Sequence, residues 1–123
     1  MLLKLKIILP IAIGVLGLVL LVLFAGAWGS KKNAGELDAF AQCLTAKGAV
    51  MYGAEWCPHC QNEKAVFGES FRLVKYVECP DNPQLCLETG IQGYPTWTFP
   101  DGRKLVGEQG INKLAEASGC EIK

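Results

Sequence analysis

Trp56-Cys57-Pro58-His59-Cys60 places two thiols two residues apart, directly after a short apolar strand (Ala49 to Tyr52) and at the head of a helix. No other stretch limits the fold as much. On a helix, positions i and i+3 share a face, so Cys57 and Cys60 can close a small disulfide and reopen it. Pro58 suits the first helical turn, where its missing N–H costs nothing. Cys57 then stands where unpaired backbone N–H groups and the positive end of the helix dipole favour an anion. That setting favours a nucleophilic thiolate. His59 tunes it, by charge or by hydrogen bonding. The chemistry indicated is thiol–disulfide exchange, with Cys57 as nucleophile and Cys60 as resolving thiol. The competing readings are a permanently closed disulfide and a zinc site. Cys57, His59 and Cys60 do not easily reach one ion together from a single helix start, and a structural zinc site takes four ligands. The expectation is therefore no metal and no cofactor beyond the redox-active disulfide.

The 123 residues allow one ordinary domain, and part of the chain is not globular. Ile7 to Trp28 is a 22-residue run without a charge, long enough to cross a bilayer as a helix. Lys4 and Lys6 precede it and Lys31 and Lys32 follow it, so the basic residues do not fix its orientation. The alternative is a cleaved signal peptide, since Ala25-Gly26-Ala27 offers a small-x-small site, but the apolar core of such a peptide is usually shorter. All six cysteines lie beyond this run. Such a density belongs to oxidising compartments, where disulfides persist. The expected arrangement is a tail at 1–6, a single-pass anchor at 7–28, a linker at 29–35 and a domain at 36–123. That domain would face the periplasm, a lumen or the exterior. Outside the tail and anchor, ten Lys/Arg stand against twelve Asp/Glu, so no basic stripe argues for nucleic acid.

Along the domain, Asn33 and Glu36 resemble a capping box. Leu37, Phe40, Ala41 and Leu44 then follow helical spacing to a stop at Gly48. Pro58 to Phe67 predicts a second helix, Arg72 to Cys79 a strand, and Gln84 to Thr89 a short helix. Thr96 to Phe99 and Lys104 to Val106 flank Pro100-Asp101-Gly102 as a hairpin. Ile111, Leu114 and Ala115 mark a last helix ending at Gly119. The strand–helix–strand unit should be a right-handed parallel crossover.

The Trp-Cys-Pro-His-Cys motif, Gly93-Tyr94-Pro95-Thr96 downstream of it and this element order resemble the thioredoxin family over about residues 36–119. The resemblance implies an α/β thioredoxin-like fold, a mixed four-stranded sheet flanked by helices, here preceded by one N-terminal transmembrane helix. It implies a cis-proline at Pro95, with Tyr94 and Thr96 in a substrate groove where an extended client pairs as a strand. Trp56 shapes the rim, and Trp97 and Phe99 read as packing. Lys47 to Cys60, Tyr76-Val77-Glu78-Cys79 and Gly90 to Trp97 are further similar to the thioredoxin-like domain associated with bacterial vitamin K epoxide reductase homologues. Those membrane enzymes pass oxidising equivalents from such a domain to quinone. The likeness implies a membrane-tethered, monomeric oxidant of client proteins, reoxidised by a vitamin K epoxide reductase-like partner. Running the electrons the other way, as in cytochrome c maturation, is the same-fold alternative, and a non-catalytic peptide-binding module is the other. One departure stands out. Many cytosolic thioredoxins carry a buried Asp six residues before the first active-site cysteine, and that place is Met51, with Glu55 the nearest carboxylate.

Cys79 and Cys86 bracket a Pro-rich loop short enough to be bridged locally, either as a staple or as a second redox relay. In the fold that the resemblance implies, the end of the first helix and the end of the last point to the pole opposite the motif. Cys43 is therefore expected to pair with Cys120, although six cysteines permit fifteen pairings.

Overall fold

The computed structural model describes residues 2–25 and 35–123. The chain divides into two units, Met1–Lys32 and Asn33–Lys123. The first holds α1, Leu2–Ala25, a 24-residue helix with Pro10 inside it. Its described side chains, at 10–21, are all exposed, with Ile11, Leu16 and Leu21 among them. Among the residues whose side chains are described, no helix is long and apolar enough to cross a membrane; within α1 that set is only the stretch 10–21. Of the expected anchor at 7–28 and linker at 29–35, residues 26–34 lie outside the described residues, as does Asn33 of the expected capping box.

The second unit runs α2 (Asp38–Ala46), β1 (Val50–Gly53), α3 (Pro58–Phe67), a 3-10 helix (Gly68–Leu73), β2 (Tyr76–Glu78), α4 (Pro83–Thr89), β3 (Thr96–Thr98), β4 (Lys104–Val106) and α5 (Gly110–Ser118). Its four strands form one mixed sheet in the order β2-β1-β3-β4. β1 pairs parallel with β2, Met51 opposite Tyr76, and antiparallel with β3, Met51 opposite Trp97. β1 is thus central, and the chain leaves it directly into Cys57. Successive strand residues face opposite ways, so Met51 and Tyr52 enter different layers. Met51 joins Phe40, Leu44, Phe67, Trp97 and Leu114 in the main core. Tyr52 meets Cys79 and Cys86 on the other face. Fully buried side chains of the first group each contribute about 1.5–3 kcal/mol.

Two expectations change. The expected strand Arg72–Cys79 begins as a 3-10 helix, and only Tyr76–Glu78 is extended. Phe71 packs edge-on against both Phe67 and Tyr76, with centroids 6.0 and 5.7 Å apart. Arg72 donates to both carboxylate oxygens of Asp38, at 2.7 and 2.5 Å. These side-chain contacts, the one to Asp38 reaching 34 residues back, fix a helical turn where β-propensity alone reads strand. The Arg72 guanidinium also holds the Asp38 carboxyl down at about 2. The start of α2 differs as well. Its N-cap is Leu37, with no side-chain cap, and the Leu37 N–H donates instead to Ser70 Oγ, 3.1 Å away. The helix end falls where expected: Lys47 is the C-cap, and Gly48, with φ +79°, takes the left-handed turn into β1.

Candidate active site

Cys57 is the N-cap of α3, in an extended conformation, with Pro58 in the first turn. Its N–H donates to the Ala54 carbonyl and its own carbonyl accepts from Gln61, both at 3.1 Å. The strand therefore hands the chain to the helix at Cys57 itself. One turn on, Cys60 points inward and is fully buried, whereas Cys57 keeps 6% of its surface exposed. These are the two cysteines not bonded to another. The Cys57 thiol donates to the Tyr94 carbonyl, 3.8 Å away, and the Tyr94–Pro95 peptide is cis. The Pro95 carbonyl accepts from Gly107 N–H at 2.7 Å, and Thr96 Oγ1 donates to the Gly93 carbonyl at 2.7 Å. Trp56 is largely exposed and meets Tyr94 edge-on, centroids 6.1 Å apart. Trp56, Cys57, Tyr94 and Pro95 thus come from two separate loops to one rim. Trp97 and Phe99 are buried.

The two thiols differ in setting. Burial above all pushes the Cys60 thiol up to about 11, opposed chiefly by the hydrogen bond with the Ala54 backbone and less by Lys64, with a further push from the neighbouring Cys57. A buried thiolate is costly because the charge loses its hydration. His59 is turned toward Glu108, with Nδ1 2.5 Å from Glu108 Oε1 in a hydrogen bond. Asn62 donates to the same oxygen at 3.1 Å. The His59 contact, more than the others, holds the Glu108 carboxyl below the usual range.

Several residues of the site were not singled out from the sequence. Glu63 is 2% exposed. Its Oε1 accepts from Trp97 Nε1 at 3.0 Å and its Oε2 accepts from Gln109 and Gly110 N–H at 3.1 and 3.2 Å. It thereby caps α5 from α3. The signal was available: Cys60, Glu63 and Phe67 stand at i, i+3 and i+7, the buried face of α3. Tyr76 and Glu78 lie beneath the dithiol. The Tyr76 hydroxyl donates to Glu78 Oε2 at 2.5 Å, and Glu55 N–H donates to Glu78 Oε1 at 2.8 Å. Lys64 Nζ sits 3.8 Å from the Tyr76 ring centroid. Glycine at 53 lets these groups close up, since a Cβ there would stand 2.7 Å from Cys60 Sγ and 3.3 Å from the Tyr76 hydroxyl.

The other four cysteines form disulfides Cys43–Cys120 and Cys79–Cys86. The second follows β2 immediately, and Cys79 N–H donates to the Gly53 carbonyl at 2.8 Å. The first joins the end of α2 to the residue after the α5 C-cap.

Comparison with known proteins agrees with this geometry. The chain is 41% identical over 93 residues to the thiol-disulfide oxidoreductase LTO1 of Arabidopsis thaliana, matching 68% of this chain and 24% of that protein. It is 34% identical over 86 residues to protein disulfide isomerase-like 2-1 of Oryza sativa subsp. japonica, matching 58% of this chain and 23% of the relative. The chain thus spans about a quarter of the length of the curated relatives it matches. A thioredoxin variant from Halobacterium salinarum superposes with a TM-score of 0.50 at 22% identity, covering 68% of this chain and 83% of that one, a likeness of fold. The thioredoxin family model matches residues 33–118. With that match laid over a cysteine pair at the head of α3 and a cis-proline beside it, the chain belongs to the thioredoxin family of thiol–disulfide oxidoreductases.

Proposed function

We propose that this chain is a membrane-anchored, extracytoplasmic oxidant of client proteins that exchanges disulfides through Cys57 and Cys60, is reoxidised by a vitamin K epoxide reductase-like, quinone-linked membrane protein, and works as a monomer. The observation that carries the chemistry is the difference in depth between the two sulfurs. Cys57, though buried, keeps 6% of its surface exposed against the Tyr94 carbonyl, while Cys60 keeps none. An incoming client thiolate therefore attacks Cys57 Sγ. The Cys57–Cys60 bond breaks, and a second client thiolate then displaces Cys57, leaving the client oxidised and the pair reduced. The backbone beside Pro95 offers the edge on which an extended client pairs as a strand. Cys79–Cys86 and Cys43–Cys120 act as staples that stay closed through the cycle.

The anchor rests on the uncharged run Ile7 to Trp28 and on the exposed apolar side chains of α1, which have no aqueous use. The outward orientation rests on cysteine density. The partner rests on the sequence likeness alone. The opposite direction, reduction of client disulfides, is favoured by one contact. Glu108 offsets any positive charge on His59, and that charge would otherwise stabilise the reduced, thiolate form and make the pair more oxidising.

The reduction potential of Cys57/Cys60 decides direction. A value near that of strong oxidants, about −120 mV, supports oxidation, and one near about −270 mV supports reduction. Reoxidation of reduced ribonuclease by the full chain, abolished in Cys57→Ser, tests the activity. Carbonate extraction tests the anchor, since release of a shortened soluble product would show cleavage instead. In cells, Cys60→Ser should hold a mixed disulfide with a polytopic membrane protein. Recovery of client adducts alone would remove the partner from the scheme.

A further inference from the structure

We infer that Tyr76 and Glu78 form a proton-transfer pair for Cys60, taking its proton when it attacks and returning one when it leaves. This deepens the oxidoreductase reading and rests on it. The need arises from burial. Cys60 has no exposed surface, so water has no direct route to its proton, and Met51 on the neighbouring strand offers no acceptor.

Glu63 shares the inward face of α3, but both its oxygens are taken by Trp97 and the start of α5. His59 and Glu108 are occupied with each other at the surface. Tyr76 is placed differently. Strand register sets it opposite Met51, and its hydroxyl and Cys60 Sγ flank the same gap over Gly53, where a Cβ would stand 3.3 Å from the one and 2.7 Å from the other. That hydroxyl already donates to Glu78 Oε2 at 2.5 Å, leaving its lone pairs free to accept from a thiol. Glu78 is held by Glu55 N–H through its other oxygen and is only partly buried, which opens the pair to solvent. Lys64, over the Tyr76 ring, is the cation facing the group, and Cys57 is the remaining titratable neighbour. Burial and Glu78 push the Tyr76 hydroxyl well above its ordinary value, so it relays a proton and does not lose one to bulk water.

The step balances in both directions. When reduced Cys60 resolves a mixed disulfide on Cys57, its proton passes to the Tyr76 oxygen while the Tyr76 proton passes to the Glu78 carboxylate. The Cys60 sulfur bonds to Cys57 Sγ, and the client sulfur leaves with the electron pair. When a client thiolate opens the Cys57–Cys60 disulfide by attacking Cys57, Cys60 leaves with the electron pair. The same two protons then move back.

Reduced full chain in detergent micelles, mixed with one equivalent of dithiobis-nitrobenzoate, separates the two steps. The first thionitrobenzoate released reports attack by Cys57, and the second reports closure by Cys60. Tyr76→Phe and Glu78→Gln should leave the first release unchanged and slow the second roughly 100-fold or more near neutral pH, the deficit shrinking as pH approaches that at which Cys60 ionises unaided. Glu78→Gln keeps the Tyr76 ring and its Lys64 contact, so the test stands even if Tyr76→Phe folds poorly. Equal slowing of both releases, or a deficit that does not change with pH, would overturn the inference. A wild-type chain giving no second release would instead overturn the dithiol reading beneath it.

Discussion

Trp97 Nε1 donates to Oε1 of Glu63 across 3.0 Å, and both side chains are buried. An indole from the sheet, a carboxylate from α3 and the first amides of α5 are thereby tied at one point. Removing the carboxylate leaves the buried Trp97 indole N–H and the two part-buried backbone N–H groups of Gln109 and Gly110 without partners, the buried one alone costing about 1–3 kcal/mol. Glu63→Ala should therefore lower unfolding free energy by about 2 kcal/mol or more. Urea denaturation of the oxidised form measures it, and a loss below about 1 kcal/mol would contradict this account of α5.

Gly53→Ala should damage the site without touching a cysteine. The added methyl meets Cys60 Sγ at 2.7 Å and the Tyr76 ring edge at 3.3 Å, and overpacking of this kind costs about 1–3 kcal/mol. Thermal unfolding should show that loss, and closure of the Cys57–Cys60 disulfide should slow. Unchanged closure kinetics would mean that Cys60 has room to move aside.

The reduced form should lose stability in alkali. The folded Cys60 thiol is raised from 9.0 to about 11, so above the lower value the unfolded chain ionises first. The stability contributed is complete below about 9 and disappears as pH rises through about 11. Cys57–Cys60 disulfide, with no thiol to titrate, should not show the decline. Parallel denaturation of the two forms across that range checks it, and identical profiles would refute it. Below that range iodoacetamide should label Cys57 and spare Cys60.

The Cys43–Cys120 disulfide spans 77 residues and Cys79–Cys86 spans 7. Loop-closure entropy assigns them about 4.5 and about 2.5 kcal/mol. Replacing each pair by alanines should therefore cost more for the first than for the second. Peptide mapping under graded dithiothreitol should find both intact after Cys57–Cys60 opens. Opening of Cys79–Cys86 together with the active pair would make it a relay.

How much of this could be read beforehand depended on sequence distance. The head of α3, the β3–β4 hairpin and the end of α2 are set by Pro58, by Pro100-Asp101-Gly102 and by Gly48, each acting within a turn of its own position. The 3-10 helix was not legible, because Phe71 and Arg72 are held by Phe67, Tyr76 and Asp38, two of them contacts that only folding creates. The site divides the same way. Cys57 and Cys60 announce themselves by spacing. Glu108 and the Tyr76–Glu78 pair depend on strand register and on a loop 49 residues away from His59.

The bond between Cys43 and Cys120 also sets how the domain would bear a load. Tension applied between the residues preceding α2 and the C-terminus would enter at Cys43, cross the disulfide and leave through Cys120. The sheet, α3 and the dithiol lie inside the closed loop and carry none of it. A pull that would unravel a chain lacking this bond by about 250 Å, at roughly 3.3 Å per residue, would leave the bridged domain folded around Cys57 and Cys60.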